Sequence, residues 1–188
     1  MKHFLDVGAN IGQTFDDFLT KDPTWDGATV WCFEPSPRHV PPLMAKALTL
    51  CERYKIHICP FGLAECTTMA TFYQKDDARG DSFAQFLYAD HETQNLETGY
   101  QLDLLVLSVT DFLNAKTKPE DEVTIKLDCE GSEYGILSDL FINGKVLAPR
   151  IKKIYLELHT TEYNHPKNAQ ALCVGLQRMG IPTEQWMF

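Results

Sequence analysis

Residues 4–12 read FLDVGANIG, an apolar segment that runs into an aspartate and then into a loop with two glycines. The apolar part, residues 3–7, is typical of a buried β-strand, and Phe15, Phe18 and Leu19 follow at the spacing of a helix face. A strand, a glycine-containing loop and a helix in this order favour an α/β fold. In such folds ligands bind beyond the carboxyl ends of the strands.

The rest of the chain repeats this alternation of strands and helices. Further strands are predicted over residues 29–33, 56–59, 69–74, 83–88, 102–110, 123–127, 153–158 and 183–188. Helices are predicted over residues 40–51, 134–141 and 169–179, with a helical turn over 111–114. The pattern predicts one domain, residues 1–188, with a mostly parallel sheet and helices on both faces. The polar, turn-rich segment 75–100 is predicted to be an insertion or a lid.

Composition and charge exclude several classes of protein. The chain has 188 residues, of which 44% are hydrophobic, as in ordinary globular domains. No apolar run approaches the ~20 residues that span a membrane, and no apolar leader follows Met1, so we expect a cytoplasmic protein. The net charge of −9 argues against a nucleic-acid partner. The six cysteines show no C-x-x-C spacing, which favours free thiols.

The loop after the first strand differs from a dinucleotide-binding loop. Dinucleotide-binding proteins carry G-x-G-x-x-G, whereas this chain has G-x-x-x-G from Gly8 to Gly12, with Asn10 at the position of the middle glycine. The carboxylate of Asp6, just before the loop, suits an amino group better than a pyrophosphate. We expect Gly8 to leave room for the ligand, so that a larger side chain there would block binding.

Glu34 follows the second predicted strand, 22 residues after Gly12. A carboxylate about 20 residues beyond a glycine loop binds ribose hydroxyls in α/β folds. The alternative for Glu34 is a solvated loop carboxylate. The loop upstream at this distance favours the ribose role.

Acidic residues also follow two later strands. The sequence DCEG begins at Asp128, directly after residues 123–127, and ELH from Glu157 to His159 ends another predicted strand. We assign a functional role to Asp128, and to Glu133 only the structural one of favouring the N-terminus of the next helix. Because residues i and i+2 face the same side of a strand, Glu157 and His159 are expected to point into one cleft. A purely structural role of His159 remains the alternative.

These stretches together resemble the FkbM family of S-adenosylmethionine-dependent methyltransferases. The matching pieces, in the family's order, are FLDVGANIG (4–12), VWCFEPSP (30–37), VTDFL (109–113), IKLDCEGSE (125–133) and IYLELH (154–159). IKLDCEGSE is the most specific, since it is similar to the family's IKIDxEGxE block. The resemblance implies a Rossmann-like class I methyltransferase fold and O-methylation of a hydroxyl on a sugar or other small molecule.

The resemblance also implies which residues contact the cofactor. The methionine part would lie among Asp6, Gly8, Asn10 and Gly12, the ribose at Glu34, and the adenine near residues 61–64, which include Gly62 and Leu63. Asp128 would sit beside the methionine amino group and the transferring methyl. Only 29 residues follow His159, so the closing strands of the family's sheet are predicted to be shortened. Shortened closing strands would leave one edge of the sheet open. Because an exposed edge is usually paired or covered, we predict a homodimer or a cover from segment 75–100.

Methyl transfer to a hydroxyl needs alignment of the acceptor and gains from a base. The candidates are Asp128, Glu130, Glu157 and His159, and His159 is expected to serve near neutral pH. These four residues could together bind a divalent cation, but no metal-ligand spacing is evident and no metal is predicted.

Two other functions remain open. One is a non-catalytic S-adenosylmethionine-binding module that acts with a partner. The other is a nicotinamide-dependent oxidoreductase, against which the missing middle glycine and the DCEG sequence argue.

Overall fold

The computed structural model describes residues 1–74, 81–83, 86–89, 92–95, 100–161 and 166–185. The strands are β1 (Lys2–Val7), β2 (Thr29–Phe33), β3 (Lys55–Cys59), β4 (Gly62–Ala64), β5 (Thr68–Gln74), β6 (Phe86–Ala89), β7 (Glu92–Asn95), β8 (Tyr100–Ser108), β9 (Glu122–Leu127), β10 (Ile151–Leu156), β11 (Thr160–Thr161) and β12 (Thr183–Gln185). The helices are α1 (Gln13–Asp17), α2 (Val40–Leu48), α3 (Val109–Lys116), α4 (Glu133–Leu147) and α5 (Pro166–Arg178).

Six strands form one parallel sheet in the order β12-β10-β9-β1-β2-β3. The predicted α/β architecture with a mostly parallel sheet is therefore confirmed. The chain moves outward from β1 through β2 to β3 and later returns to the other side of β1 as β9. A crevice opens at the carboxyl ends of strands where the order reverses in this way, here between β1 and β9.

The sheet has an apolar layer on each face. Alternate residues of β1 point to opposite faces, so that Phe4 packs with α1 and α2, whereas Leu5 and Val7 pack with α3, α4 and α5. Phe4 and Leu5 are fully buried. Burial on both faces explains why the central strands are nearly continuous apolar runs.

Two small sheets lie outside the main one. In the first, β8 pairs with β5 antiparallel and with β4 parallel. In the second, β6 pairs antiparallel with β7 and with β11, which follows His159. The predicted strand 83–88 corresponds to β6, which begins at Phe86. Of segment 75–100, residues 75–80, 84–85, 90–91 and 96–99 lie outside the described residues, and its role as a lid stays a prediction.

Several element boundaries differ from the sequence prediction. The turn predicted at 111–114 is the two-turn helix α3, because the Ser108 hydroxyl accepts a hydrogen bond from the Asp111 N–H and caps it. Strand β10 ends at Leu156, so Glu157 and His159 lie after the strand rather than in it. In the described C-terminal part, α5 is followed by one short strand, β12, parallel to β10; residues 186–188 of the predicted last strand lie outside the described residues.

No helix in the described part of the chain is long and apolar enough to cross a membrane. All six cysteines are free thiols, as predicted, and Cys32 and Cys59 are buried.

Candidate functional site

A cleft of about 260 Å³ lies at the carboxyl ends of β1, β2 and β9, where the strand order reverses. The loop after β1 forms one side and the loop after β9 the other. Polar residues line its base and one end, and aromatic side chains line the opposite wall.

The loop after β1 turns through residues in the left-handed backbone region. Gly8 has φ +80° and Asn10 has φ +47°, a region that asparagine tolerates better than most residues. A Cβ on Gly8 would lie 1.7 Å from the backbone oxygen of Asp128. A larger side chain at Gly8 would therefore meet the loop after β9, and the expectation that it would only block a ligand leaves out this clash. The hydrogen atom of Gly8 lets the loops after β1 and β9 pack against each other.

Glu34 stands directly after β2 and is 5% exposed. Its Oε2 accepts a hydrogen bond from the Asn10 N–H and its Oε1 accepts one from the Ser36 N–H, both at 2.8 Å. The side chain thus ties the loop after β1 to the end of β2. A carboxylate offers about four acceptor positions, so two remain for a ligand. Glu34 is not the solvated loop carboxylate of the alternative interpretation.

Residues 81–83 cross from the end of β2 to the loop after β9. Asp81 accepts a hydrogen bond from the Ser36 hydroxyl at 2.9 Å and pairs with Arg38 at 3.3 Å. The Ser82 hydroxyl donates to the backbone oxygen of Glu130. These contacts hold Phe83 in the wall of the cleft.

The opposite wall of the cleft is apolar. Phe33, Leu63, Phe72 and Phe83 line it, and the rings of Phe72 and Phe83 meet edge to face with centroids 4.8 Å apart. Gly62 packs close to the Phe83 ring. This wall suits a flat, apolar-faced group such as a purine.

Lys126 lies at the base of the cleft between two carboxylates. Its register partner across the sheet is Asp6, and its Nζ lies 3.2 Å from Asp6 Oδ1 and 3.1 Å from Asp128 Oδ2. The ammonium also donates to the Gly8 carbonyl at 2.9 Å. Burial raises the pKa of Asp6, an effect that Lys126 partly offsets. The Asp6–Lys126 pair therefore neutralises charge beneath the loop, and Asp6 does not line the cleft.

His159 is held by a buried carboxylate that the sequence analysis assigned only to a helix N-terminus. Glu133 is fully buried, and its two oxygens accept the N–H groups of Cys129 and Gly131 at 2.8 and 2.9 Å. Glu133 Oε1 also lies 3.0 Å from Nδ1 of His159. This contact fixes the orientation of the imidazole, whose Nε2 faces Asp128, Glu130 and Glu157.

The acidic surroundings change the protonation of these groups. Burial opposes protonation of His159, but Glu133, Glu130 and Asp128 outweigh it and raise the pKa of the imidazole to about 9. The expectation that His159 acts as a base near neutral pH without help is therefore wrong. Burial also raises the pKa of Glu130, although His159 partly offsets the effect.

The structure brings most of the predicted residues to one place. Those that line the cleft are Gly8, Asn10, Glu34, Gly62, Leu63, Asp128, Glu130 and Glu157. His159 lies against the carboxylates at the end of the cleft. Gly12, like Asp6, is not among the lining residues, and a Cβ there would meet Phe15 and α2. The roles of all these residues toward a cofactor stay predictions.

Sequence reasoning missed Lys126, Glu133 and Asp81. A lysine inside the predicted strand 123–127, whose other residues are uncharged, was a usable indication for Lys126, because a buried ammonium needs an anionic partner. For Asp81 the polar surrounding sequence carried no such indication.

Comparison with known proteins gives one match. The model of the methyltransferase FkbM domain matches residues 6–180 of the 188-residue chain. Neither a curated protein nor a solved structure matches the chain.

Proposed function

The chain belongs to the FkbM methyltransferase family, and on that premise we propose that it transfers a methyl group from S-adenosylmethionine to a hydroxyl of a sugar or other small molecule. The observation that carries the proposal is the cleft at the reversal of strand order. The cleft is lined by aromatic side chains, by the buried Glu34 and by a cluster of carboxylates.

The residues of the cleft fit the chemical groups of S-adenosylmethionine. Phe72 and Phe83 offer an apolar surface to an adenine, and Glu34 keeps two acceptor positions for ribose hydroxyls. Asp128 and Glu130 place negative charge at the other end of the cleft, where a ligand with an amino group and a positive sulfur gains stability. When bound, this cofactor supplies a methyl group that is already activated.

The chain's own residues then have to position the acceptor and accept its proton. Asp128, Glu130 and Glu157 line the end of the cleft, and His159 lies behind them. A polar acceptor with several hydroxyls suits this polar end, which favours a sugar. Asp128, Glu130 and Glu157 are the candidates for accepting the proton of the acceptor hydroxyl. His159, which stays protonated near neutral pH, is a candidate for orienting the acceptor.

The proposal extends to the compartment and the oligomeric state of the protein. Six free thiols support a reducing compartment such as the cytoplasm. The strand β12 pairs with Ile154, Tyr155 and Leu156 of β10 and leaves the first half of β10 without a partner from β12. An open edge of this kind supports a homodimer, which light scattering would detect.

The test is direct binding of the cofactor. Calorimetry should show one site per chain for S-adenosylmethionine and for S-adenosylhomocysteine, and none for NAD⁺. A screen of sugars, glycosides and phenols, read out as release of S-adenosylhomocysteine, then identifies the acceptor.

Folded protein that binds neither S-adenosyl compound would overturn the proposal, and binding of NAD⁺ alone would favour an oxidoreductase. Cofactor binding without turnover on any acceptor, together with a stable protein partner, would favour the non-catalytic binding module.

A further inference from the structure

Three side chains at the end of the cleft point donor atoms at one gap. Asp128, Glu157 and His159 each offer one ligand atom, and these atoms all lie within 4.8 Å of one another. The imidazole Nε2 lies 3.9 Å from Asp128 Oδ1 and 3.9 Å from Glu157 Oε1. Hydrogen bonds from nitrogen to oxygen span about 2.7–3.2 Å, so these groups are not hydrogen-bonded to each other.

The two separations measured from His159 Nε2 fit ligands that share one metal ion. Nitrogen and oxygen ligands lie about 2.0–2.2 Å from a metal of zinc's size, so two ligands on one ion are about 3 Å apart at a right angle and about 4 Å apart on opposite sides. Both distances from Nε2 fall within that window. Glu130 Oε2, at 3.6 Å from Nε2, falls there too.

The imidazole is oriented for coordination by a residue outside the gap. Glu133 is fully buried, is held by two backbone N–H groups, and lies 3.0 Å from Nδ1 of His159. A metal-bound histidine nearly always donates its other ring N–H to such a carboxylate, which fixes the tautomer with a free lone pair on Nε2. In the metal-free protein Nε2 holds a proton, because the carboxylates raise the pKa of His159 to about 9. A metal ion would displace that proton and take the lone pair, which faces Asp128 and Glu157.

Asp128 also has one oxygen free for the gap. Its Oδ2 contacts the Lys126 ammonium at 3.1 Å, and its Oδ1 faces His159. Around the gap stand four carboxylates, those of Asp128, Glu130, Glu133 and Glu157. The Lys126 ammonium and the protonated imidazole of His159 set two positive charges against these four negative ones, so the gap attracts a further cation.

We propose that Asp128, Glu157 and His159 bind one divalent first-row transition-metal ion, with Glu130 at its open side. A mixed set of one imidazole and two carboxylates suits Mn²⁺, Fe²⁺ or Zn²⁺ better than the all-oxygen sites of Ca²⁺ and Mg²⁺. The ion's task rests on the proposed function. It polarises the acceptor hydroxyl and makes its proton easier to remove.

The test is a titration of the full chain with Mn²⁺, in which electron paramagnetic resonance measures the free ion. We expect one saturable site per chain. The variants His159→Gln and Glu157→Gln should each bind Mn²⁺ at least about 10–100-fold more weakly than the wild type. Loss of a residue that only orients a metal ligand already costs that much, and these variants lose a ligand itself. Glu157 is half exposed, so its variant leaves the fold intact.

The matched control is Glu120→Gln. Glu120 is exposed and lies two residues before β9, whereas Asp128 directly follows β9, so the two residues lie at opposite ends of that strand. The control variant should bind Mn²⁺ as the wild type does. The inference is overturned by wild-type protein that binds no Mn²⁺, or by ligand variants that bind it unchanged. Calorimetry with S-adenosylmethionine on the same wild-type sample separates the two claims. Cofactor binding without Mn²⁺ binding overturns only the metal site, and Mn²⁺ binding without cofactor binding overturns only the proposed function.

Discussion

Glu34 joins the fold to the proposed cofactor site through one carboxylate. Replacing it with alanine should weaken S-adenosylmethionine binding by about 1.5–3 kcal/mol, the range for hydrogen bonds to a charged group. The physical reason is the loss of the proposed acceptors for the ribose hydroxyls, together with the loss of the bonds to the Asn10 and Ser36 N–H groups. Calorimetry measures the effect.

A second variant at Glu34 and a control elsewhere test this assignment. Glu34→Gln keeps one acceptor oxygen, so its affinity for S-adenosylmethionine should lie between those of the wild type and Glu34→Ala. Glu52→Ala removes an exposed glutamate at the end of the turn after α2 and should bind the cofactor as the wild type does. Unchanged affinity in Glu34→Ala would contradict the assignment of Glu34 to the ribose.

The sequence could indicate residues that directly follow predicted strands, because the carboxyl ends of parallel strands share one edge. Glu34 and Asp128 were found in this way. Glu133 could not be identified, since an acidic residue at a helix N-terminus has an ordinary explanation and its contact with His159 spans 26 residues. The proximity of Glu157 and His159 was predicted, but from strand alternation, whereas both residues lie in the loop after β10.

At the scale of elements, strand β3 carries a histidine that favours its neutral form. His57 stacks on Trp31 of β2 with ring centroids 4.1 Å apart and an angle of 13° between the rings. Burial lowers the pKa of His57, and the nearby Lys55, Lys116 and His3 lower it further. The unfolded chain therefore takes up a proton more readily than the native protein as pH falls below about 6.5, so native stability should fall over that range.

The variant His57→Phe tests this contribution because phenylalanine keeps a ring for Trp31 and cannot titrate. The free energy of unfolding, measured in urea between pH 7.5 and 5, should fall less steeply with decreasing pH in the variant than in the wild type. Parallel curves for the two proteins would contradict the contribution of His57.

Elements with a long apolar period were predicted well and their ends less well. The stripe of Leu43 and Ala47 identified α2, since both residues pack into the core. The extent of α3 depended on the Ser108 cap and on Asp139 of α4. Asp139 accepts hydrogen bonds from the Thr110 N–H and hydroxyl across the interface of the two helices. The Ser108 cap lies in a local S-x-x-D sequence, but the contacts of Thr110 with Asp139 join residues 29 positions apart and leave no local pattern.

At the scale of the whole molecule, the centre of the sheet and the base of the cleft share one charged group. Lys126 is 3% exposed on the central strand β9 and faces Asp6 of β1, the neighbouring strand. The same ammonium contacts Asp128 and the Gly8 carbonyl, so it links both strands to both loops of the cleft. The order of strands that creates the cleft thereby also requires a buried cation beneath it.

Replacing Lys126 with methionine should therefore destabilise the protein by about 3–5 kcal/mol, because it leaves the buried carboxylate of Asp6 without its partner. That is at least about a fifth of the total stability of a typical domain, about 5–15 kcal/mol. The double variant Asp6→Asn with Lys126→Met removes the unpaired charge and should recover part of the loss. Urea unfolding measures all three proteins, and Lys145→Met, an exposed lysine on α4, serves as the control with little change. If Lys126→Met lost no more stability than Lys145→Met, the ammonium would not be holding the centre of the sheet to the cleft.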